Sequence, residues 1–219
     1  MNYILNIETA TKNCSVSLSK DGITLVCKEI AELGYSHAEK LHLFIEEVIN
    51  EAGISNSDLN AIAVSQGPGS YTGLRIGVSA AKGLSYALQI PLIAVDTLES
   101  LAQQVVAKDG LIIPMIDARR MEVYSAVFNH QKEKIREVQA QIINEESFAY
   151  ISEKVYFIGD SNEKVKSVVT KSNFIFLENH FYPSAKEMSS ISYKKFQEKD
   201  FVDVAYFEPY YLKDFLFSK

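Results

Sequence analysis

The densest run of small residues in this chain has the types and spacing of a phosphate-binding turn. Residues 65–77 read SQGPGSYTGLRIG, follow the apolar run at 61–64 and precede a helical pattern. Glycine turns between a strand and a helix can cradle phosphate, because backbone N–H groups point at the ligand there. However, residues 67–70 lack the Gly-Lys-Ser/Thr ending of a Walker loop, and the next lysine is Lys82. The turn alone therefore does not predict a nucleotide site.

Other residue types that carry chemistry lack the spacing that metal or nucleophile sites need. His37 and His42 are on different directions of one predicted helix, and His130 and His180 stand alone. The sequence has no Cys-x-x-Cys or His-Glu-x-x-His motif and no Gly-x-Ser-x-Gly nucleophile turn. We therefore predict no metal ligand and no catalytic residue.

Two later turns could orient an anion. Residues 159–161 (Gly-Asp-Ser) stand between an apolar strand and a helix, where an anion could bind, although a loop with an N-cap explains them equally. Asp117 ends another strand just before Arg119 and Arg120. We expect Asp117 to pair with an arginine across that turn, which is the commoner use of such residues.

Small residues recur at every fourth position of the helix that follows the glycine turn: Gly69, Gly73, Gly77, Ala81 and Ser85. A glycine inside a helix costs about 1 kcal/mol relative to alanine, so a close approach must compensate for several of them. The approaching element is either a partner helix or the protein's own sheet. From the ridge alone, both interpretations stand.

The elements that position these turns are strands and helices in alternation. Strands are predicted over 4–7, 14–18, 23–30, 59–64 and 92–95, and helices over 36–52, 71–88 and 97–107. The first helix opens with a capping box, Ser36 to Glu39, and carries Leu41 and Ile45 on its apolar stripe.

A second series of elements begins after Gly110. Its strands are predicted over 111–116, 122–128, 138–143, 155–159 and 174–177, and its helices over 161–170 and 184–198, with Ser184 as N-cap. The recurrence predicts an α/β protein with two lobes, residues 1–108 and 109–219.

Composition limits the classes of function. The chain of 219 residues is 47% hydrophobic and 23% charged, with a net charge of −6. This balance is typical of a soluble globular protein and argues against extensive phosphate contact by this chain alone. We find no signal peptide pattern and no apolar run near the ~20 residues of a membrane helix, so we expect a cytoplasmic protein without membrane contact.

The two cysteines are predicted to be reduced. If Lys20 lies opposite Ile23 in the first hairpin, Cys27 faces Val16 and lies diagonal to Cys14. Diagonal neighbours are about 7–8 Å apart, which is too far for an easy disulfide.

Four segments resemble the TsaB (YeaZ) family in order and spacing. They are ILNIETATKNCSVSLSKDG at 4–22, SQGPGSYTGLRIGVSAAKGLSYALQIPLIAVDTLESLA at 65–102, DARRMEVYSAVF at 117–128 and YFEPYYL at 206–212. The resemblance covers nearly the whole chain and is looser past Tyr124. Ser161 stands where many members have glycine.

The resemblance implies a fold and a role. The fold is the two-lobed ASKHA fold (actin, hexokinase and Hsp70-like), with mixed sheets flanked by helices. The role is that of a non-catalytic subunit that binds TsaD, the bacterial enzyme that transfers a threonylcarbamoyl group to adenosine in tRNA. The implied assembly includes TsaE, an ATPase, and would bring this chain to tRNA only indirectly. A homodimer of this chain is a further expectation.

One departure from the catalytic relative favours the subunit role. After the strand that ends at Val95, that relative carries His-Met-Glu-Gly-His, whose histidines bind a metal. Residues 97–101 here are Thr-Leu-Glu-Ser-Leu, so that Thr97 and Leu101 replace both ligands. A transferase site built on that metal needs imidazole nitrogens, which neither residue supplies.

Two sets of site residues follow from the resemblance. The predicted partner interface consists of Gly69, Gly73, Gly77, Ala81, Ser85, Leu41 and Ile45. A nucleotide, ATP or ADP in the complex, would lie near Glu8, Thr9, Gly159, Asp160 and Ser161, although this chain is expected to need no cofactor of its own. The alternatives are an independent ATP-using ASKHA phosphotransferase or ATPase and, with less support from the motifs, a glycoprotease-like peptidase.

Overall fold

The structure is a computed structural model that describes residues 1–31, 37–179 and 182–212. Ser36, the predicted cap of the first helix, and His180 lie outside the described residues. Among those that are described, no helix is long and apolar enough to cross a membrane.

Two five-stranded sheets form the framework. The first contains β1 (Tyr3–Glu8), β2 (Asn13–Lys20), β3 (Ile23–Ala31), β4 (Leu59–Gly67) and β5 (Leu92–Asp96), in the order β3-β2-β1-β4-β5. The second contains β6 (Leu111–Asp117), β7 (Glu122–Asn129), β8 (Lys134–Ile142), β9 (Val155–Ile158) and β10 (Phe174–Phe176), in the order β8-β7-β6-β9-β10. Each sheet joins three antiparallel strands to two parallel ones, so the predicted recurrence is confirmed.

Within the described residues, five α-helices cover these sheets: α1 (His37–Glu51), α2 (Tyr71–Leu88), α3 (Thr97–Gln103), α4 (Asn162–Lys166) and α5 (Ala185–Glu198). The predicted bounds of α2 are confirmed, and so is Ser184 as the cap of α5. Apolar residues of α1 and α2 pack on one face of the first sheet, and those of α5 pack on the opposite face. Burying both faces in this way is what its near-continuous apolar strands require.

The packing of α5 differs from the predicted division into residues 1–108 and 109–219. Ala185, Met188 and Ile191 join a cluster with residues of β1, β4 and β5, not with the second sheet. After α5, Val202 N donates to the Leu92 carbonyl across the edge of the first sheet. An amphipathic pattern defines an apolar face but does not say which sheet it covers. The division itself stays a prediction.

The register of the β2–β3 hairpin corrects the predicted position of the cysteines. Lys20 pairs with Ile23 as expected, but an irregularity between Leu18 and Ser19 shifts the register, so Cys27 lies opposite Ser17. Both cysteines are free, as predicted. Cys14 belongs to the cluster beneath α1 and α2, whereas Ser17 donates to the Ala185 carbonyl of α5, which puts Cys27 on that opposite side.

The turn after β1 packs directly on the glycine ridge of α2. A Cβ atom added to Gly73 would lie 2.1 Å from the Thr9 carbonyl oxygen, and one added to Gly77 would lie 2.2 Å from Thr9 Oγ1. At Gly69 the corresponding distance to the Ala10 carbonyl oxygen is 2.3 Å. The predicted close approach therefore exists, but a segment of the same chain makes it.

This packing predicts opposite stability effects at two glycines of α2. Gly73→Ala adds a Cβ that would lie 2.1 Å from a backbone oxygen, so we expect the free energy of unfolding to fall by about 1–3 kcal/mol. Gly83→Ala is the matched control, because nothing lies within 4 Å of its added Cβ, and it should gain up to about 1 kcal/mol of helix propensity. Urea unfolding measures both, and equal gains in the two variants would contradict the packing.

Candidate functional site

The glycine turn at 67–70 is closed by contacts within the chain. Gly67 N donates to Thr97 Oγ1 at 3.1 Å, and Ser70 N donates to the Ala10 carbonyl at 2.6 Å. Ser70 Oγ caps α2 by accepting from Gly73 N at 3.3 Å. Three N–H groups of this segment, those of Gly67, Ser70 and Gly73, are therefore already used within the chain, and the turn joins β4, α2 and α3.

Glu8 and Thr9, at the end of β1, face different environments. Thr9 Oγ1 donates to the Gly73 carbonyl at 2.8 Å, which binds Thr9 to α2. Glu8 is fully buried, and its Oε1 accepts from Ala10 N at 2.6 Å and from Ser65 Oγ at 2.9 Å. Within the described part of the chain, Glu8 Oε2 has no hydrogen-bond partner. Burial raises the pKa of the Glu8 carboxyl to about 7.

The turn at Gly159–Ser161 is shaped by its own strand neighbours. Gly159 has φ +125°, and an added Cβ would lie 1.9 Å from the Met115 carbonyl oxygen, so only glycine fits there. Asp160 Oδ1 accepts from Asp117 N at 2.8 Å. Ser161 is buried, and its Oγ has no partner among the described residues.

Charge at this turn disfavours phosphate. Burial raises the pKa of the Asp160 carboxyl, an effect that the bond from Asp117 N and the charge of Lys12 oppose. Asp117 Oδ1 pairs with Lys164 Nζ at 2.5 Å, not with an arginine, which corrects the predicted Asp–Arg pair. Arg119 contacts the same oxygen through its backbone instead: Arg119 N donates a hydrogen bond to Asp117 Oδ1 at 2.8 Å. The nucleotide site predicted at these residues stays a prediction.

Thr97 and Leu101, which replace the histidines of the catalytic relative, have structural roles on α3. Thr97 is buried, and its hydroxyl accepts from the glycine turn as described above. Leu101 is fully buried in an apolar cluster between α3 and the second sheet. No group of three or more potential metal ligands occurs within 1–31, 37–179 and 182–212.

The residues predicted to meet a partner lie inside the chain. Gly73, Gly77, Ala81 and Ser85 are buried, and Gly69 packs on Ala10. Leu41 and Ile45 of α1 belong to the core beneath the first sheet. The β1–β2 turn and the sheet already cover these residues, and their role in a partner interface stays a prediction.

A different face of α2 is exposed, one that the sequence pattern did not predict. It consists of Thr72, Arg75, Ser79, Gly83 and Tyr86, which lie at helical spacings of three and four. Gly83 is exposed, and a Cβ added there would meet nothing within 4 Å. On neighbouring α1, Leu43 is 45% exposed. Gly83, which lies in α2 but outside the ridge of small residues at every fourth position, was the sequence feature that could have indicated this face.

Comparison with known proteins identifies the family. A family model of TsaD, described as tRNA N6-adenosine threonylcarbamoyltransferase, matches residues 31–214. The Escherichia coli tRNA threonylcarbamoyladenosine biosynthesis protein TsaB is 31% identical to this chain, over 96% of this chain and 94% of that protein.

Solved structures agree with that match. YeaZ from Pseudomonas aeruginosa superposes with a TM-score of 0.84 at 26% identity, over 97% of this chain and 100% of that chain. The activator of the 2-hydroxyisocaproyl-CoA dehydratase from Clostridium difficile, solved with bound ADPNP, shares the fold alone, with a TM-score of 0.50 at 7% identity, over 90% of this chain and 97% of that chain. The predicted two-lobed ASKHA fold is confirmed, and the chain belongs to the TsaB family.

Proposed function

We propose that this chain is a non-catalytic subunit that binds a TsaD-like transferase during synthesis of N6-threonylcarbamoyladenosine in tRNA. Its relatives carry the name of that biosynthesis. The internal roles of Thr97 and Leu101 support a subunit without the transferase's metal chemistry, because both side chains are committed to packing and to the glycine turn.

The observation that carries the proposal is the exposed glycine of α2. Gly83 lies in the interior of a helix of 18 residues, where glycine costs about 1 kcal/mol relative to alanine. Contacts with Thr9 compensate for that cost at Gly73 and Gly77, but no described residue lies within 4 Å of a Cβ added to Gly83. Close approach by another molecule would explain why a glycine stands at position 83.

The partner would therefore lie across the open face of α2. Between Arg75 and the exposed Tyr86, the small residues Ser79 and Gly83 keep the middle of this face low, so the backbone of a second helix could come close there. The residues of the interface predicted from the sequence would support this face from below. The small residues of α2 pack on the β1–β2 turn, and Leu41 and Ile45 pack α1 on the first sheet. Exposed Leu43 would add apolar area from α1.

The remaining partners follow from the same assembly. With a net charge of −6, this chain is poorly suited to grip tRNA, which the transferase would hold instead. A TsaE-like ATPase would join the complex. Without the transferase, the open face of α2 in two copies of this chain would meet in a homodimer, a self-complementary arrangement that small residues permit.

An independent ATP-using phosphotransferase or ATPase is the alternative. The buried Glu8 carboxyl, with Oε2 unpartnered among the described residues, is the feature that favours it in a fold shared with a nucleotide-bound protein. The occupied N–H groups of the glycine turn weigh against it.

Gly83→Leu should abolish binding to the purified TsaD-like transferase from the same organism. The isolated variant should keep its fold or gain roughly 0.5–1 kcal/mol, because leucine has the better helix propensity and its Cβ has no described atom within 4 Å at this exposed site. Calorimetric titration measures binding, thermal melting measures stability, and Gly83→Ala is the graded control. Undiminished binding by a normally melting Gly83→Leu variant would place the interface elsewhere.

The purified chain alone should form no threonylcarbamoyladenosine when given tRNA and threonylcarbamoyl-adenylate. It should also bind ATP and ADP only weakly, because Asp160 and Glu8 place carboxyls where phosphates would lie and the turn N–H groups are used. Product analysis and calorimetry provide the two readouts. Turnover that survives chelation and gel filtration, or sub-micromolar nucleotide affinity, would favour the enzyme alternative.

A further inference from the structure

The open face of α2 ends in an arginine that two tyrosines hold in place. The Arg75 guanidinium lies over the Tyr71 ring, 4.0 Å from its centroid, and Arg75 Nε donates to Tyr211 Oη at 3.1 Å. The two tyrosine rings are themselves in contact, with centroids 5.2 Å apart. An arginine fixed in this way loses little side-chain entropy when it binds a further group.

The C-terminal segment brings Tyr211 to this position. Lys82 Nζ donates to the Ala205 and Phe207 carbonyls at 3.1 and 2.9 Å, and Tyr210 N donates to the Gln66 carbonyl at 2.7 Å. These bonds tie residues 205–211 along α2 and leave a groove of about 280 Å³ between them, with Arg75 on one wall.

No carboxylate in the described part of the chain pairs with Arg75, although the protein carries a net charge of −6. Glu208 lines the same groove without forming an ion pair with it. Lys82, the other cation of the groove, is already bound to backbone carbonyls. Among the described residues, Arg75 is thus an exposed, pre-oriented cation without an anionic partner.

We propose that Arg75 anchors the partner by receiving a carboxylate side chain of the TsaD-like subunit in a bidentate pair. The inference rests on the proposed function and names the chemistry of one contact in that interface. Arg75, Ser79 and Gly83 follow one another at intervals of four, so a helix lying over the two small residues runs directly toward the guanidinium. The planar guanidinium matches a carboxylate with two parallel hydrogen bonds.

The surroundings of Arg75 favour a protein carboxylate over a nucleic-acid phosphate. Binding of a phosphate backbone depends on several cations that each neutralise one charge. Among the described residues that line this groove, Arg75 is open and Lys82 is engaged with backbone carbonyls, so the groove does not offer the several cations that a phosphate backbone needs. One carboxylate, delivered by an otherwise close-packed helix, matches this single charge.

The test measures the affinity of the purified transferase for four variants by calorimetry. Arg75→Ala should weaken binding by about 10–30-fold, as the loss of an interface hot spot does. Arg75→Lys keeps the charge but not the planar fork, so it should still lose about fivefold or more. Lys108→Ala removes one exposed cation from another part of the surface and is the control for net charge. Gly83→Leu reports separately on the interface itself.

Salt dependence supplies a second readout. Between about 0.05 and 0.3 M salt, the affinity of the parent chain should fall more steeply than that of Arg75→Ala, because screening acts on the pair. Normal affinity in Arg75→Ala with binding lost in Gly83→Leu would overturn the inference and leave the proposed function standing. Parent-like affinity in Arg75→Lys would overturn the bidentate pair. Unchanged binding in both Arg75→Ala and Gly83→Leu would overturn the proposed interface as well.

Discussion

The close contact between the β1–β2 turn and the glycines at the start of α2 organises the first sheet and its helices. Thr9 and Ala10 present backbone oxygens to Gly73 in α2 and to Gly69 just before it, at distances that leave no room for a Cβ atom. This contact sets the height of α2 above the sheet. It also directs the opposite side of the helix, which carries Arg75 and Gly83, outward. Gly73 thus serves the fold, whereas Gly83 faces away from it, on the surface where we propose that the partner binds.

A second constraint joins the two sheets through α3. Lys134 of β8 forms an ion pair with Asp96 (2.7 Å), whose other carboxylate oxygen caps the first turn of α3 by accepting from Leu98 N. Lys132 donates to the Ala102 carbonyl at the other end of α3. A cation near the C-terminus of a helix interacts favourably with the helix dipole. Both ends of this helix of seven residues are thus held by the β7–β8 hairpin of the second sheet.

Much of the local structure could be predicted from the sequence, and the limits have a common physical cause. The bounds of α2 and the cap at Ser184 follow from side chains within a few residues of each other. The ridge of small residues predicted a close approach but not its partner, because the contact of Gly73 with Thr9 joins distant parts of the chain. The irregularity between Leu18 and Ser19 moved Cys27 to the other face of the sheet, since a shift of one residue reverses the side of every side chain.

The structure of this chain bound to its TsaD-like transferase would show whether a partner helix lies over the open face of α2. The decisive measurement is the distance from Gly83 Cα to the nearest partner atom. We expect backbone atoms of a partner helix within about 4–4.5 Å of Gly83 Cα, the range of direct contact. A complex in which Gly83 stays open to solvent, and the transferase covers another surface, would contradict it.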